Sequence, residues 1–185
     1  MDQEIILEII ADLYEEYEIS ELGFDLIDFC KKAEIVLVPY SSYEDKKKAF
    51  IDYDEDGFNI INCLSNSCEI YYNDFIDPKQ RIKFTIPHEI GHIMLGHNQK
   101  SGNETSTQRR DANFFANEFY CPSILIVHFE LFTIPKMISA FGISAQYAGV
   151  LLDKLVTKVE KDFSDSEKRL LKIFLKNRSN KKIKA

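Results

Sequence analysis

Three features of this 185-residue sequence predict an α+β fold. Helical periodicity fills roughly the first thirty residues. Short β-branched and aromatic runs follow between 35 and 73. Helical spacing then returns around 109 and continues almost to the end.

Residues 3–17 carry Ile5, Ile6, Ile9, Ile10, Leu13 and Tyr17 at helical spacing, with acids on the other face. A second helix is expected from Ser20, a plausible N-cap, to Ala33. Ile35-Val36-Leu37-Val38, closed by Pro39, reads as a strand. Ala49–Asp54 and Phe58–Asn62 flank an Asp56-Gly57 pair and predict a hairpin. Glu69–Asn73 gives a third strand after a polar turn at Ser65-Asn66-Ser67, and Asp77-Pro78 breaks the chain. The alternation in Arg81–Ile86 suggests a further strand, with Pro87 opening a helix. The polar stretch 98–108 reads as an exposed loop able to gate a cleft. Beyond it, helices are expected at Arg109–Tyr120, Pro135–Phe141, Ser144–Val159 and Ser164–Lys176, with Ser144 and Ser164 as caps.

A hydrophobic fraction of 45% supports a real core. The acid-dotted start lacks the basic n-region of a secretory signal, and no apolar run approaches a bilayer span of ~20 residues. A cytoplasmic protein with four reduced cysteines is therefore expected, although Cys63 and Cys68 could face each other on paired strands. The net charge is −7, but Lys176–Ala185 holds five basic residues and no acid. The remaining body, with 18 basic against 30 acidic side chains, repels a phosphate backbone, so nucleic-acid binding by it is not expected. The basic tail reads as a solvated chain end.

The chemistry concentrates at His88-Glu89-Ile90-Gly91-His92. On a helix, positions i and i+4 share a face, so both imidazoles can reach one ion. Zinc suits neutral imidazole, and a catalytic site keeps one position for water. Glu89, about 100° around the helix from His88, can flank the metal and take a proton without being a ligand. Gly91 removes bulk where another element can approach. A third ligand is required. The metzincin spacing would place Gly at 95 and His at 98, where the chain has Leu95 and Asn98, and His97 is one residue out of phase. A carboxylate is the alternative: Asp111, Glu118 or, from the polar loop, Glu104. Asp111 and Glu118 are seven apart on one helix face, so helical spacing does not separate them. His97 is a candidate to hydrogen-bond a ligand or polarise a substrate; Tyr120 and His128 are candidate oxyanion donors.

The stretch RIKFTIPHEIGHIMLGH, followed by RRDANFFANEFYCP, resembles the ImmA/IrrE metallopeptidases, the M78 peptidase group. The resemblance rests on Arg81, Phe84, Thr85, the HExGH run, Ala112-Asn113, Phe115-Ala116 and Pro122, within roughly residues 35–125. It implies a zincin-like domain with a small antiparallel sheet, an HExxH helix and C-terminal helices. It further implies Zn2+ held by His88, His92 and Asp111, with Glu89 as the catalytic base and Asn113 orienting a ligand. Here Asp stands where Glu is usual, and the shorter side chain needs its helix ~1 Å nearer the ion or a water between them. The implied activity is zinc-dependent endopeptidase cleavage of a protein, a helix-turn-helix transcriptional repressor of a mobile element or stress regulon. The implied division is a peptidase domain at 1–125 with the N-terminal helices, a helical subdomain at 126–176 and a basic tail at 177–185. One alternative is a non-catalytic regulator that binds the repressor on the same scaffold. Direct DNA binding through 141–159 is disfavoured, because 139–152 carries no Lys or Arg.

Overall fold

Local caps and apolar faces define most element boundaries in the computed structural model, which describes residues 1–43, 45–62, 67–77, 79–97, 104–159 and 162–184. Cys63, the turn at Ser65-Asn66, Pro78 and 98–103 of the polar loop lie outside the described residues. Two compact units form: residues 25–116, and residues 1–24 together with 117–185. The α+β class is as predicted.

In the 25–116 unit, Asp25 rather than Ser20 caps the second helix, α2 (Leu26–Lys32). Its carboxylate accepts from the amides of Ile27 and Asp28. Strand β1 (Ile35–Pro39) follows, then a short 3-10 turn at Tyr40–Ser42. Lys47–Tyr53 forms α3, not the strand expected over Ala49–Asp54. Phe50 explains the difference: its ring packs on Tyr40, Tyr43, Phe58 and Tyr71 at 5.2–5.9 Å, an aromatic anchor for a helix, not a ladder position. Asp54 then turns the chain, its Oδ1 accepting from the amides of Asp56 (2.9 Å) and Gly57 (3.0 Å). The Asp-Gly pair thus makes a helix-to-strand corner instead of a hairpin.

β2 (Gly57–Asn62) and β3 (Ser67–Tyr72) pair antiparallel, from Gly57 opposite Tyr72 to Asn62 opposite Ser67. Phe58 and Tyr71 face each other in this register, their rings stacked at 5.0 Å. β1 pairs with β3 in parallel, so the order is β1-β3-β2 and the sheet is mixed, against the antiparallel expectation. The chain between β1 and β3, holding α3 and β2, is long enough for the crossover that a parallel pair requires.

The expected strand at Arg81–Ile86 is helical. A 3-10 turn at Lys79–Arg81 leads into α4 (Ile82–Met94), and Pro87 lies inside that helix. Burial of Thr85, Ile86, Glu89 and Ile90 follows the helical period and outweighs the period-2 alternation of Ile82, Phe84 and Ile86. Two glycines permit close packing: a Cβ at Gly57 would sit 2.9 Å from the Thr85 side chain, and one at Gly91 3.0 Å from Phe115. α5 (Ser106–Tyr120) begins in this unit.

In the other unit, α1 (Gln3–Glu16) packs on α9 (Asp165–Lys184). Ile6, Ile10 and Tyr14 are buried on α1, and Leu170, Ile173 and Phe174 on α9. Asn177 Nδ2 donates to the carbonyls of Tyr14 (2.9 Å) and Ile19 (3.3 Å), so the helix runs past Lys176 instead of fraying there. α6 (Ser123–His128), α7 (Ile134–Phe141) and α8 (Ala145–Val159) complete the unit. Ser144 caps α8, and Ser164 with Glu167 forms a capping box on α9. Cys30, Cys68 and Cys121 are free thiols. No helix among the described residues is long and apolar enough to cross a membrane.

Candidate metal centre

α4 presents His88 and His92 one turn apart, as their spacing predicts, with the Nε2 atoms 3.1 Å from each other. Glu104, just before α5, brings Oε1 to 3.0 Å from His92 Nε2 and 3.9 Å from His88 Nε2. Its other oxygen is held by Arg109 Nε at 2.5 Å. Among the described residues, these three form the one group of His, Cys, Asp and Glu side chains close enough to share an ion.

The triangle of 3.0, 3.1 and 3.9 Å fits an ion. A tetrahedral metal with bonds of ~2.0 Å separates its ligand atoms by about 3.3 Å. Burial, followed by the neighbouring His88 and His97, pushes His92 down to about 3, and burial also lowers His88. Both imidazoles are therefore neutral at physiological pH, the state a metal requires. Neutral His92 has a single ring proton for three close contacts, with His88, Glu104 and His97. Glu104 Oε1 is buried and accepts no hydrogen bond. A cation among these lone pairs relieves a cost the side chains cannot relieve among themselves.

Glu89 lines the same cleft, of about 580 Å³, alongside Asp54, Phe58, Phe84, Arg109 and Asn113. It is 5% exposed, and burial pushes its carboxyl up to about 8, opposed by Asn59, whose Nδ2 donates to Glu89 Oε2 at 2.7 Å. Charge from Asp54 and Glu104 raises it further. The arrangement sets a carboxyl of raised proton affinity in the same cleft as a three-donor cation site.

The model of the M78 peptidases, described as an IrrE N-terminal-like domain, matches residues 30–130, more than half of the chain. The chain belongs to the M78 peptidase family. No curated protein and no solved structure matches it.

In this M78 chain the residues anticipated from sequence are distributed unevenly. His88, Glu89 and His92 share the cleft. Asp111 is buried on α5 but does not belong to the donor group; the carboxylate there is that of Glu104, the loop candidate. Asn113 lines the same cleft as His88. Glu118 and Tyr120 fall in the 1–24/117–185 unit and are engaged there. Glu118 accepts from the Ser123 amide and hydroxyl and pairs with Lys158 at 2.9 Å, while the Tyr120 hydroxyl donates to the Phe141 carbonyl. His128, in the same unit, packs edge-on to Phe129. Asn59 was not anticipated. The one signal for it is a polar residue between Phe58 and Ile60-Ile61 in the strand.

Proposed function

We propose that this M78 chain is a zinc-dependent endopeptidase whose ion is held by His88, His92 and a carboxylate. The observation that carries this reading is the donor triangle with Glu89 in the same cleft. The donor separations support Glu104 as the third ligand, while family resemblance favours Asp111. Zinc bound there supplies Lewis acidity toward a peptide carbonyl and makes water acidic enough to deprotonate near neutral pH. Glu89 is the group that takes the water proton and returns it to the leaving amine. Asn59 Nδ2 donates to Glu89 Oε2 and orients the carboxyl for that transfer. Tyr53, Phe58 and Phe84 give the cleft aromatic walls suited to an apolar side chain of a polypeptide. The substrate proposed from family resemblance is a helix-turn-helix repressor.

Metal content of the purified chain, with Glu104→Gln and Asp111→Asn in parallel, tests the ligand set. The expected result is about one zinc per chain, lost in Glu104→Gln and retained in Asp111→Asn. The reverse pattern gives the third place to Asp111. Incubation with a candidate repressor should give cleavage that Glu89→Gln abolishes. Full cleavage by that variant sinks the mechanism, and zinc-loaded chain that binds the repressor without cutting it is a regulator on a peptidase scaffold.

A further inference from the structure

His97 lies just beyond α4, five residues after His92, where a straight helix would point it away from its neighbour. The chain turns back instead. Gly96 adopts φ +65°, the Gly96 amide bonds the Ile93 carbonyl at 3.1 Å, and the His97 amide bonds the His92 carbonyl at 2.9 Å. This pair of bonds is a Schellman motif, and the left-handed conformation it needs is one glycine adopts at little cost. The turn delivers His97 Nδ1 to 3.1 Å from His92 Nδ1. It is the far nitrogen of His92, Nε2, that faces His88 and Glu104.

A ligating imidazole must offer one nitrogen as a lone pair and carry its proton on the other, and a partner for that second nitrogen fixes both tautomer and ring orientation. Most ligating histidines use a carboxylate or a backbone carbonyl for this. In this chain a second imidazole stands in that position. Two neutral imidazoles can share the 3.1 Å contact only if one donates and the other accepts. Donation by His92 frees its Nε2 for the ion, whereas donation by His97 puts the His92 proton on the nitrogen that faces Glu104. Asp111 and Glu104 are the carboxylates whose charge acts on His97. An ion on His92 Nε2 would confine the His92 proton to Nδ1, and His97 would then accept at its Nδ1 and carry its own proton on Nε2.

We infer that His97 is a positioning residue: its Nδ1 accepts the His92 Nδ1 proton and so locks His92 with its Nε2 lone pair toward the metal. This inference rests on the metal-site reading above and adds to it a residue that touches neither metal nor substrate.

The test uses the full chain with zinc. Affinity is read by competition with a chromophoric chelator for the unaltered protein, His97→Leu, and His97→Gln, whose amide oxygen can still accept. His97→Leu should weaken zinc by about ten- to a hundred-fold, and His97→Gln should recover most of that loss. Long-range nitrogen–proton correlation spectra of the unaltered zinc-loaded protein give a second readout independent of any variant's folding. They should show His97 protonated on Nε2 and bare on Nδ1. Zinc bound as tightly by His97→Leu as by the unaltered chain overturns the inference, as does a His97 proton on Nδ1. Failure of the unaltered chain to bind zinc would instead sink the metal-site reading itself.

Discussion

At the scale of single residues, burial makes Glu89 costly to ionise in the metal-free cleft. A carboxyl whose folded pKa is raised from 4.5 to about 8 keeps its proton in the native state while the unfolded chain releases it. Native stability from this group is complete below pH ~4.5 and is lost as pH rises toward 8. Glu89→Gln does not titrate, so with metal removed by a chelator it should melt higher than the parent at pH 7.5. The gain is about 2–4 kcal/mol, and it should vanish below pH 4. Equal melting temperatures at pH 7.5 would show that Glu89 is ionised at little cost. The three residues of the HExxH pattern were legible because a helix fixes their spacing without knowledge of the rest of the chain. Glu104 was legible only as one of three candidate carboxylates and Asn59 not at all, because each reaches the site from a separate segment. A carboxylate in a polar loop and an asparagine in a strand carry no local mark of their tertiary partners.

At the scale of elements, the helices were read well where the period was clear, as at α1, or where caps and period agreed, as at α8 and the start of α9. The errors fell where two local signals competed. In 82–86 an alternating run lies beside a proline, yet the face buried against β2 and β3 has the helical period, and burial decided. Lys47–Tyr53 went the same way, its Phe50 held among four aromatic rings. The parallel pairing of β1 with β3 had no local signal, because direction is set by the path of the intervening chain. Gly91 was legible as a point of close approach, and that approach is testable. Gly91→Val places a branched side chain where even a Cβ meets Phe115 at 3.0–3.2 Å. The variant should lose about 1–3 kcal/mol in urea unfolding. Unchanged stability would mean that α4 and α5 pack more loosely than these distances state.

At the scale of the whole molecule, every donor of the proposed metal site, together with Glu89 and Asn59, lies between residues 25 and 116. A ligand stabilises whatever opening exposes its site, by an amount that grows with the logarithm of its concentration over Kd. Saturating zinc should therefore slow amide exchange in α4 and in the first turns of α5, and leave α1 and the end of α9 near their metal-free rates. Equal slowing throughout the chain would show that both units open in a single step. The division itself was hidden in the sequence. The apolar face of α1 says that it needs a partner but not that the partner is the last helix, because periodicity carries no information about distance along the chain.

That pairing has a consequence in time. Tyr14 on α1 and its partner Asn177 on α9 are 163 residues apart, so at ribosomal speeds of ~5–20 residues per second α9 emerges about 8–30 s after α1. For roughly the last third of that interval the whole 25–116 segment has already been made. The nascent chain thus holds a complete set of metal donors while Ile6, Ile10 and Leu13 still await the surface that will cover them. This is the window in which a holding chaperone would find the first helix and zinc could already find its ligands.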